Sequence, residues 1–356
     1  MRRMRKIHLL LGAALAAAIS IPVLAAPPVV GLDSMREWNL IVLGDLQSSS
    51  EVEGRTFVGG DLTGNSSNYQ IKTPTPSPTG QPGLTVVGNV VGGAKNLNNG
   101  SGAIVGGNVS SGFNLNGAAQ TVQVGGTISN TNVNQNTVQS GLAASNPDFV
   151  SSLNQQKSVL TSSLTDMSHT LSTLDSNSAV AISGNRATFN AAPNAEGVAI
   201  FNITADQLNS IGEIDFKLNG ADTAIVNVSG KSILLNDNFL GGTNNLGEHV
   251  IWNFAEAESL NLTTAWGGSV LAPRAAATTG NYIQGSAVFG SLVQNGEMHV
   301  GTYKGGYTPP SGPPTGGGSS GGSTPVPING AWGLFALGLA GLLLGRRIGR
   351  EKLAKA

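Results

Sequence analysis

Residues 103–129 read AIVGGNVSSGFNLNGAAQTVQVGGTIS. An apolar pair runs into Gly-Gly, then a small polar residue, then a β-branched one. Nineteen residues after Gly107-Asn108-Val109 the pattern returns as Gly126-Thr127-Ile128. Toward the N-terminus it recurs as Gly88-Asn89-Val90, Gly60-Asp61-Leu62 and Gly44-Asp45-Leu46, at intervals of nineteen, twenty-eight and sixteen residues. The long interval contains KTPTPSPTGQPG, Lys72 to Gly83, which reads as a loop inserted into one repeat.

A run of four or five apolar or β-branched residues is strand-like, and Gly with Asn or Asp supplies a positive φ at a corner. One strand-turn unit cannot bury its apolar face alone, but stacked units can. Stacking at ~4.8 Å pairs every coil with its neighbours. The period therefore predicts a β-solenoid, with Gly44, Gly60, Gly88, Gly107 and Gly126 as left-handed corners. About a dozen such coils give a rod on the order of 50–60 Å long. Ordinary β-hairpins in a sandwich are the alternative, since Gly-Asn and Gly-Asp are also hairpin signals.

One segment departs from the β pattern. In 146–177, Phe149, Leu153, Leu160, Leu164, Met167, Leu171 and Leu174 follow helical spacing. Asn146 can cap that helix, and Pro147 suits its first position. The narrow apolar stripe predicts one long helix along the flank of the solenoid; a self-associating coiled coil is the other way to bury it. Strand patterns resume from Ala179 to Asp237, as in EIDFKLNG, where Ile214, Phe216 and Leu218 share one face and Asp215 and Lys217 the other.

The chain has 356 residues, with 50 Gly, 11% charged, 5% aromatic and no Cys. That excludes disorder, a disulfide framework and a thiolate metal site. Residues 1–26 carry a basic start, an apolar run and small residues at the exit, and read as a signal peptide for Sec export. Residues 308–327 are a Pro/Gly/Ser-rich linker. Residues 328–356 hold an uncharged apolar stretch, Ala331 to Gly345, followed by Arg346, Arg347 and further basic residues, and read as a membrane or sorting segment whose C-terminus stays inside. A plain single-pass anchor is the alternative reading of that end. The folded body is then 35–307. Nine of the 19 Lys and Arg, and one of the 20 Asp and Glu, lie in the two ends, so the part between carries 10 basic and 19 acidic residues. An acidic body has no electrostatic footprint for nucleic acid.

The segments NLIVLGDL and EVEGRTFVGGDL, then VIWNFAEAESLNL, GGSVLAPRA and IQGSAVFGSLVQNGEMH, resemble the choice-of-anchor A domain family, a bacterial exported module allied to ice-binding-like adhesive domains. The resemblance covers roughly Asn39 to Tyr307. It implies a right-handed, ice-binding-protein-like β-helix with a long α-helix packed along its side. The tail, with Pro325, Pro327, Trp332, Arg346 and Arg347, is similar to the PEP-CTERM and VPLPA-type sorting signals of Gram-negative bacteria. It lacks Pro-Glu-Pro, and Asn329-Gly330 replace the Pro-Ala of the second type. That resemblance implies an inner-membrane stage and an exosortase-like processing enzyme.

Polysaccharide-active β-helix enzymes need clustered carboxylates, or a calcium site with a nearby base. Here Asp215, Asp222 and Asp237 are spaced singly, Arg274 stands alone, and Glu256 and Glu258 read as acids on one side of a strand. His249, Glu297 and His299 form a thin metal-ligand set, and the reading is no metal and no cofactor. Trp252 and Phe254 read as core, with Asn253 on the opposite face. A regular Thr ladder for ice is missing, since Thr121, Thr127, Thr131 and Thr137 do not recur at one phase. Trp266, Asn253, Glu297 and His299 are the ligand-contact candidates. The expected function is a non-catalytic, surface-anchored adhesive or matrix-associated protein that binds a polysaccharide or an extracellular matrix protein. A lyase or hydrolase, or a pure matrix scaffold, is the alternative.

Overall fold

Each repeat glycine is preceded by a short strand: Leu40–Val42, Thr56–Val58, Leu84–Val86, Ala103–Val105 and Thr121–Val124. These strands pair in parallel, with Leu40 opposite Thr56, Thr56 opposite Leu84, Leu84 opposite Ala103 and Ala103 opposite Val122. The offsets are those of the glycine repeat. The computed structural model describes residues 29–309. The expected signal peptide, all but the first two linker residues, and the tail with Pro325, Pro327, Trp332, Arg346 and Arg347 lie outside the described residues. Among the described residues no helix is long and apolar enough to cross a membrane.

The chain is mainly β and solenoid-like, its coils feeding parallel strands into three sheet surfaces. The first surface holds the strands above. The second continues each coil past its glycine turn, through Leu46–Ser48, Leu62–Thr63 and the bridged residues Val90, Val109 and Ile128. The third holds Glu51–Val52, Ser67–Tyr69, Lys95–Leu97 and Phe113–Leu115. Leu40, Val42, Leu46, Val52, Leu62 and Tyr69 point inward into one continuous core.

The coils are not stacked in chain order. Along the first sheet the order starts at Thr137–Gln139 and descends to Leu40–Val42. It continues into Ala287–Gln294, Ser269–Thr279, Val250–Asn253, Thr223–Ser229 and Val198–Thr204. The chain thus enters mid-stack, winds to one end, crosses back, and winds in from the opposite end until Ala287 pairs with Leu40. Eleven strands at ~4.8 Å make that stack about 48 Å long.

The crossing is made by a helix, Asp148–Ser172. Asn146 Oδ1 accepts the Asp148 N–H at 3.1 Å. At 1.5 Å per residue its 25 residues run roughly 37 Å, most of the stack. One helical turn (about 5.4 Å) nearly matches one coil, so side chains three or four apart meet successive coils. Ser168 Oγ bonds Asn253, and three residues on the Leu171 carbonyl accepts from Asn227, one coil further. Leu153, Leu160, Leu164 and Leu171 are buried against the outward residues of the first sheet, including Ile41, Phe57, Ile225, Ile251, Leu271 and Val288.

The five repeat glycines do turn the chain, but none has a positive φ. Their requirement is space. A Cβ on Gly60 would stand 2.0 Å from Asp45 Oδ1, on Gly88 2.2 Å from Asp61 Oδ1, on Gly107 2.5 Å from Asn89 Oδ1, and on Gly126 2.2 Å from Asn108 Oδ1. On Gly44 it would meet the Gly290 carbonyl at 2.8 Å. Close approach of coils, rather than a left-handed backbone, selects glycine here.

Lys95 is fully buried and its Nζ donates to the carbonyls of Thr63, Gly64 and Asn65. Burial lowers its pKa to about 8. Asp237 is also fully buried, with neither carboxyl oxygen hydrogen-bonded, and desolvation raises its pKa to about 7.

Candidate functional site

The oxygen that excludes a Cβ at each corner also builds the surface beside it. Asp45 Oδ1 accepts the Asp61 N–H at 2.8 Å, Asp61 Oδ1 the Asn89 N–H at 2.7 Å, Asn89 Oδ1 the Asn108 N–H at 2.9 Å, and Asn108 Oδ1 the Thr127 N–H at 2.8 Å. Each side chain is fixed by the next coil, so the row is pre-ordered before any ligand arrives. The same register continues on the other side through Ser291, Ala276, Ser259 and Ser232. All nine are exposed or half-buried.

A second row runs parallel to it, two residues on along each strand: Gln47, Thr63, Val91, Ser110 and Ser129 one way, Val293, Thr278, Asn261 and Leu234 the other. Asp45 and Asp61 are the only charged side chains in the two rows. Between the rows, Asp45, Gln47, Asp61, Thr278, Ser291 and Val293 line a shallow trough of about 460 Å³. The long strand Ser269–Thr279 shows how one segment serves two surfaces. Its register shifts between Ala272 and Ala276, around Pro273-Arg274, and beyond that point buried and exposed residues alternate strictly. The Leu-Ala-Pro motif marks the corner where this strand leaves the helix-covered sheet for the open one.

The residues expected to touch ligand do not meet there, and of the four only Glu297 and His299 touch one another. Trp266, expected to be exposed, is fully buried. It faces the core in register with Ile283 and Met298, packed edge-on to Trp252 at 5.0 Å and Phe239 at 5.1 Å. Trp252 and Phe254 are buried in the same core. Asn253 is buried beneath the helix, its Nδ2 donating to the Ser168 carbonyl at 2.8 Å and to Asn227 Oδ1 at 2.9 Å. Asn227 Nδ2 donates to Leu171 O and to Asn202 Oδ1. This amide ladder fastens the helix and leaves Asn253 no free group for a ligand. Glu297 and His299 lie on the third sheet, Oε2 to Nε2 at 2.7 Å, with the imidazole stacked on Tyr282 at 4.5 Å.

His249 stands elsewhere, its Nδ1 within 2.8 Å of the Asp222 carbonyl, and no cluster of three metal-ligating side chains occurs among the described residues. Glu256 and Glu258 sit in a turn rather than on a strand. Glu258 pairs with Lys231 at 2.8 Å, and Glu256 accepts from the Gly230 N–H. Thr121 and Thr137 do share one register position, contrary to the reading from spacing, because the coil between them is only sixteen residues long. The third sheet carries a ladder of its own, Asn114 to Asn96 to Asn68 to Glu51, each amide donating to the next oxygen.

The rows on the second sheet escaped sequence reading. Their inward neighbours carry the period, and outward residues such as Thr278, Val293 and Gln47 need only be small and polar or β-branched. Two signals were available: the polar residue after each repeat glycine, which supplies Asp45, Asp61, Asn89, Asn108 and Thr127 of the first row, and the alternation after Pro273. No curated protein and no solved structure matches this chain. A family model described as "Putative Ice-binding-like adhesive domain" matches residues 31–300, which take in every coil, the crossing helix and both rows. The chain is a member of this ice-binding-like adhesive domain family.

Proposed function

We propose that this protein is an exported, surface-anchored adhesive that holds a polysaccharide or an extracellular matrix protein non-catalytically on its open second sheet. The observation that carries the reading is the pair of register-aligned, nearly uncharged rows, the first fixed by its Asp and Asn ladder, on the surface that the helix leaves uncovered. A repeated surface suits a repeated ligand, because many weak contacts at a fixed spacing add through avidity. The fold is read as a right-handed β-helix, since parallel crossover connections take that hand in about 98% of cases. Residues 1–26 direct Sec export in a Gram-negative bacterium, 308–327 act as the tether, and the tail holds the protein at the inner membrane until an exosortase-like enzyme processes it. Choice-of-anchor A is the finer family placement that the quoted motifs support.

The test is retention of the full-length protein on beads carrying cellulose, chitin, alginate, collagen or fibronectin. Thr278→Lys with Gln47→Lys should lower retention at least tenfold on whichever bead holds the native protein. Two lysines on the third sheet, Asn96→Lys with Asn114→Lys, should leave it within twofold. Equal loss in both pairs, or none in the first, removes the second sheet as the adhesive surface.

A further inference from the structure

The corner ladder needs one oxygen per rung, and it takes that oxygen from two kinds of side chain. Asp45 and Asp61 supply it at mid-stack, and Asn89 and Asn108 supply it on the next two rungs. All four accept the following rung's N–H through Oδ1, at 2.8, 2.7, 2.9 and 2.8 Å in that order. A carboxylate and an amide thus hold the coils at the same distances, and the ladder does not ask for charge. A carboxylate is the stronger acceptor, but two of them side by side on adjacent strands repel each other. The negative charges at 45 and 61 are surplus to the fold.

The protein does not answer those charges. Neither carboxylate takes part in an ion pair among the described residues. The hydrogen bonds to both side chains fall on Oδ1, so Oδ2 of the exposed Asp45 and the half-buried Asp61 stands outside the ladder. Both residues line the trough of about 460 Å³ on the open sheet, together with Gln47, Thr63, Thr278 and Ser291, and among the described residues no Lys or Arg lines it. Lys231, at one end of this sheet, pairs instead with Glu258 at 2.8 Å, and Arg274 stands near that pair.

Two carboxylates without a cation repel a polyanion and attract a polycation, and on an exposed surface salt screens that attraction. The whole body acts in the same sense, with 19 acidic against 10 basic residues between the two ends. The hydroxyl and amide groups of the trough add hydrogen bonds for a partner rich in hydroxyls. A rung of ~4.8 Å is also close to the length of one sugar unit in an extended chain.

We infer that the polymer held by the open sheet is a polysaccharide of amino sugars with free amines. Its ammonium groups meet Asp45 and Asp61 on successive rungs, and its hydroxyls bond Gln47, Thr63, Thr278 and Ser291. This rests on the adhesive reading of the same sheet and narrows it. A fully acetylated polysaccharide lacks the charged contact, and an acidic one is repelled.

The experiment is retention of the full-length protein on beads of chitosan, fully acetylated chitin, alginate and poly-lysine, in low and in high salt, with alginate also tried in calcium chloride. Chitosan in low salt should hold the native protein at least tenfold better than chitin or alginate, and high salt should erase that advantage. Asp45→Asn with Asp61→Asn should lower retention on chitosan at least tenfold and leave retention on chitin within twofold. It should not lower the melting midpoint, since Asn89 and Asn108 already show an amide keeping the ladder. A lowered midpoint would return the charges to the ladder and overturn the inference. So would chitosan retention that survives both substitutions, or retention on poly-lysine equal to that on chitosan, which would mean charge alone. Retention on alginate that requires calcium and is lost in the double variant would replace the amine by a bridging metal ion, and overturns it as well. Retention on chitin, cellulose or collagen through the open sheet, with no gain on chitosan, strikes this inference and leaves the adhesive reading standing. Retention on no bead of either panel strikes both.

Discussion

The first and second sheets are made by the same coils at the same spacing, yet one is covered and the other bare. On the first, Leu40-Ile41-Val42 and Thr56-Phe57-Val58 are buried at every position, because alternate residues face the core and the helix. On the second, Leu46-Gln47-Ser48 alternates, and so does the later half of Ser269–Thr279. A strand buried on both faces reads as a continuous apolar run, and a half-buried one alternates. The difference shows where a ligand has room. The covered sheet spends its outward side chains on the helix, while the open sheet fixes its own through the Asp and Asn corner ladder and leaves their tips to solvent.

The comparison breaks first if the helix is not what completes the covered sheet. Leu164 is fully buried in the layer between them. Leu164→Ala should cost about 2–5 kcal/mol in urea unfolding. Thr161→Ala, on the exposed side of the same helix, should cost under about 0.5 kcal/mol. Similar small losses for both would mean that the helix merely rests on the stack.

The corner glycines come next. Gly60→Ala must push the Asp45 carboxylate off its bond to the Asp61 N–H and crowd the Gly44 carbonyl carbon, 2.9 Å from the new Cβ. The expected loss is about 1–3 kcal/mol by thermal unfolding. Gly220 has a φ of 81° and nothing within 4 Å of a Cβ, so Gly220→Ala should cost roughly 1–2 kcal/mol, by backbone strain alone. The two substitutions separate a spatial requirement from a conformational one. If Gly60→Ala is tolerated, close approach of the coils is not what selects glycine at these corners.

That distinction also marks how far the sequence could be read. The interval between Gly44, Gly60, Gly88, Gly107 and Gly126 carries the register, because every coil must leave the same gap for its neighbour's side chain. The apolar stripe from Phe149 to Leu174 carries the helix and its buried face. The return of the chain does not show, since nothing local in Leu40–Val42 says that its second neighbour is Ala287–Phe289, almost 250 residues on. Trp266 misled because a tryptophan beside two glycines looks exposed. The glycines instead let the chain pass close to Trp252, whose Nε1 donates to the Gly267 carbonyl. Asn253 misled because an amide opposite two aromatics looks free until the helix is laid over it.

Asp237 sharpens the contrast between the coil's interior and its open sheet, since it lies two residues past a strand of that sheet, Ser232–Leu235, and is buried. Burial raises its pKa from 3.8 to about 7, so the folded state keeps a proton that the unfolded chain has released. Its contribution to stability is full below about pH 4, falls as pH rises toward 7, and is flat above. Asp237→Asn should therefore match the native protein near pH 4 and exceed it at pH 8 by on the order of 4 kcal/mol. Equal melting curves for the two proteins at both pH values would show the carboxyl to be solvated.

The smallest effect on stability falls where the largest effect on function is expected. Thr278 and Val293 stand on adjacent strands of the open sheet with their tips in solvent. Thr278→Ala with Val293→Thr should move the midpoint of unfolding by no more than about 0.5 kcal/mol, because neither side chain closes the core. The pair nevertheless changes the trough that both residues line. A repeated ligand touches many such positions weakly, so these two altered strands should reduce bead retention only severalfold, and alterations on two further strands should multiply that factor. A ligand held at a single point would instead respond to one strand and ignore the rest. The steepness of the loss with the number of altered strands therefore tells a polymer lying along the stack from a molecule seated at one spot on it.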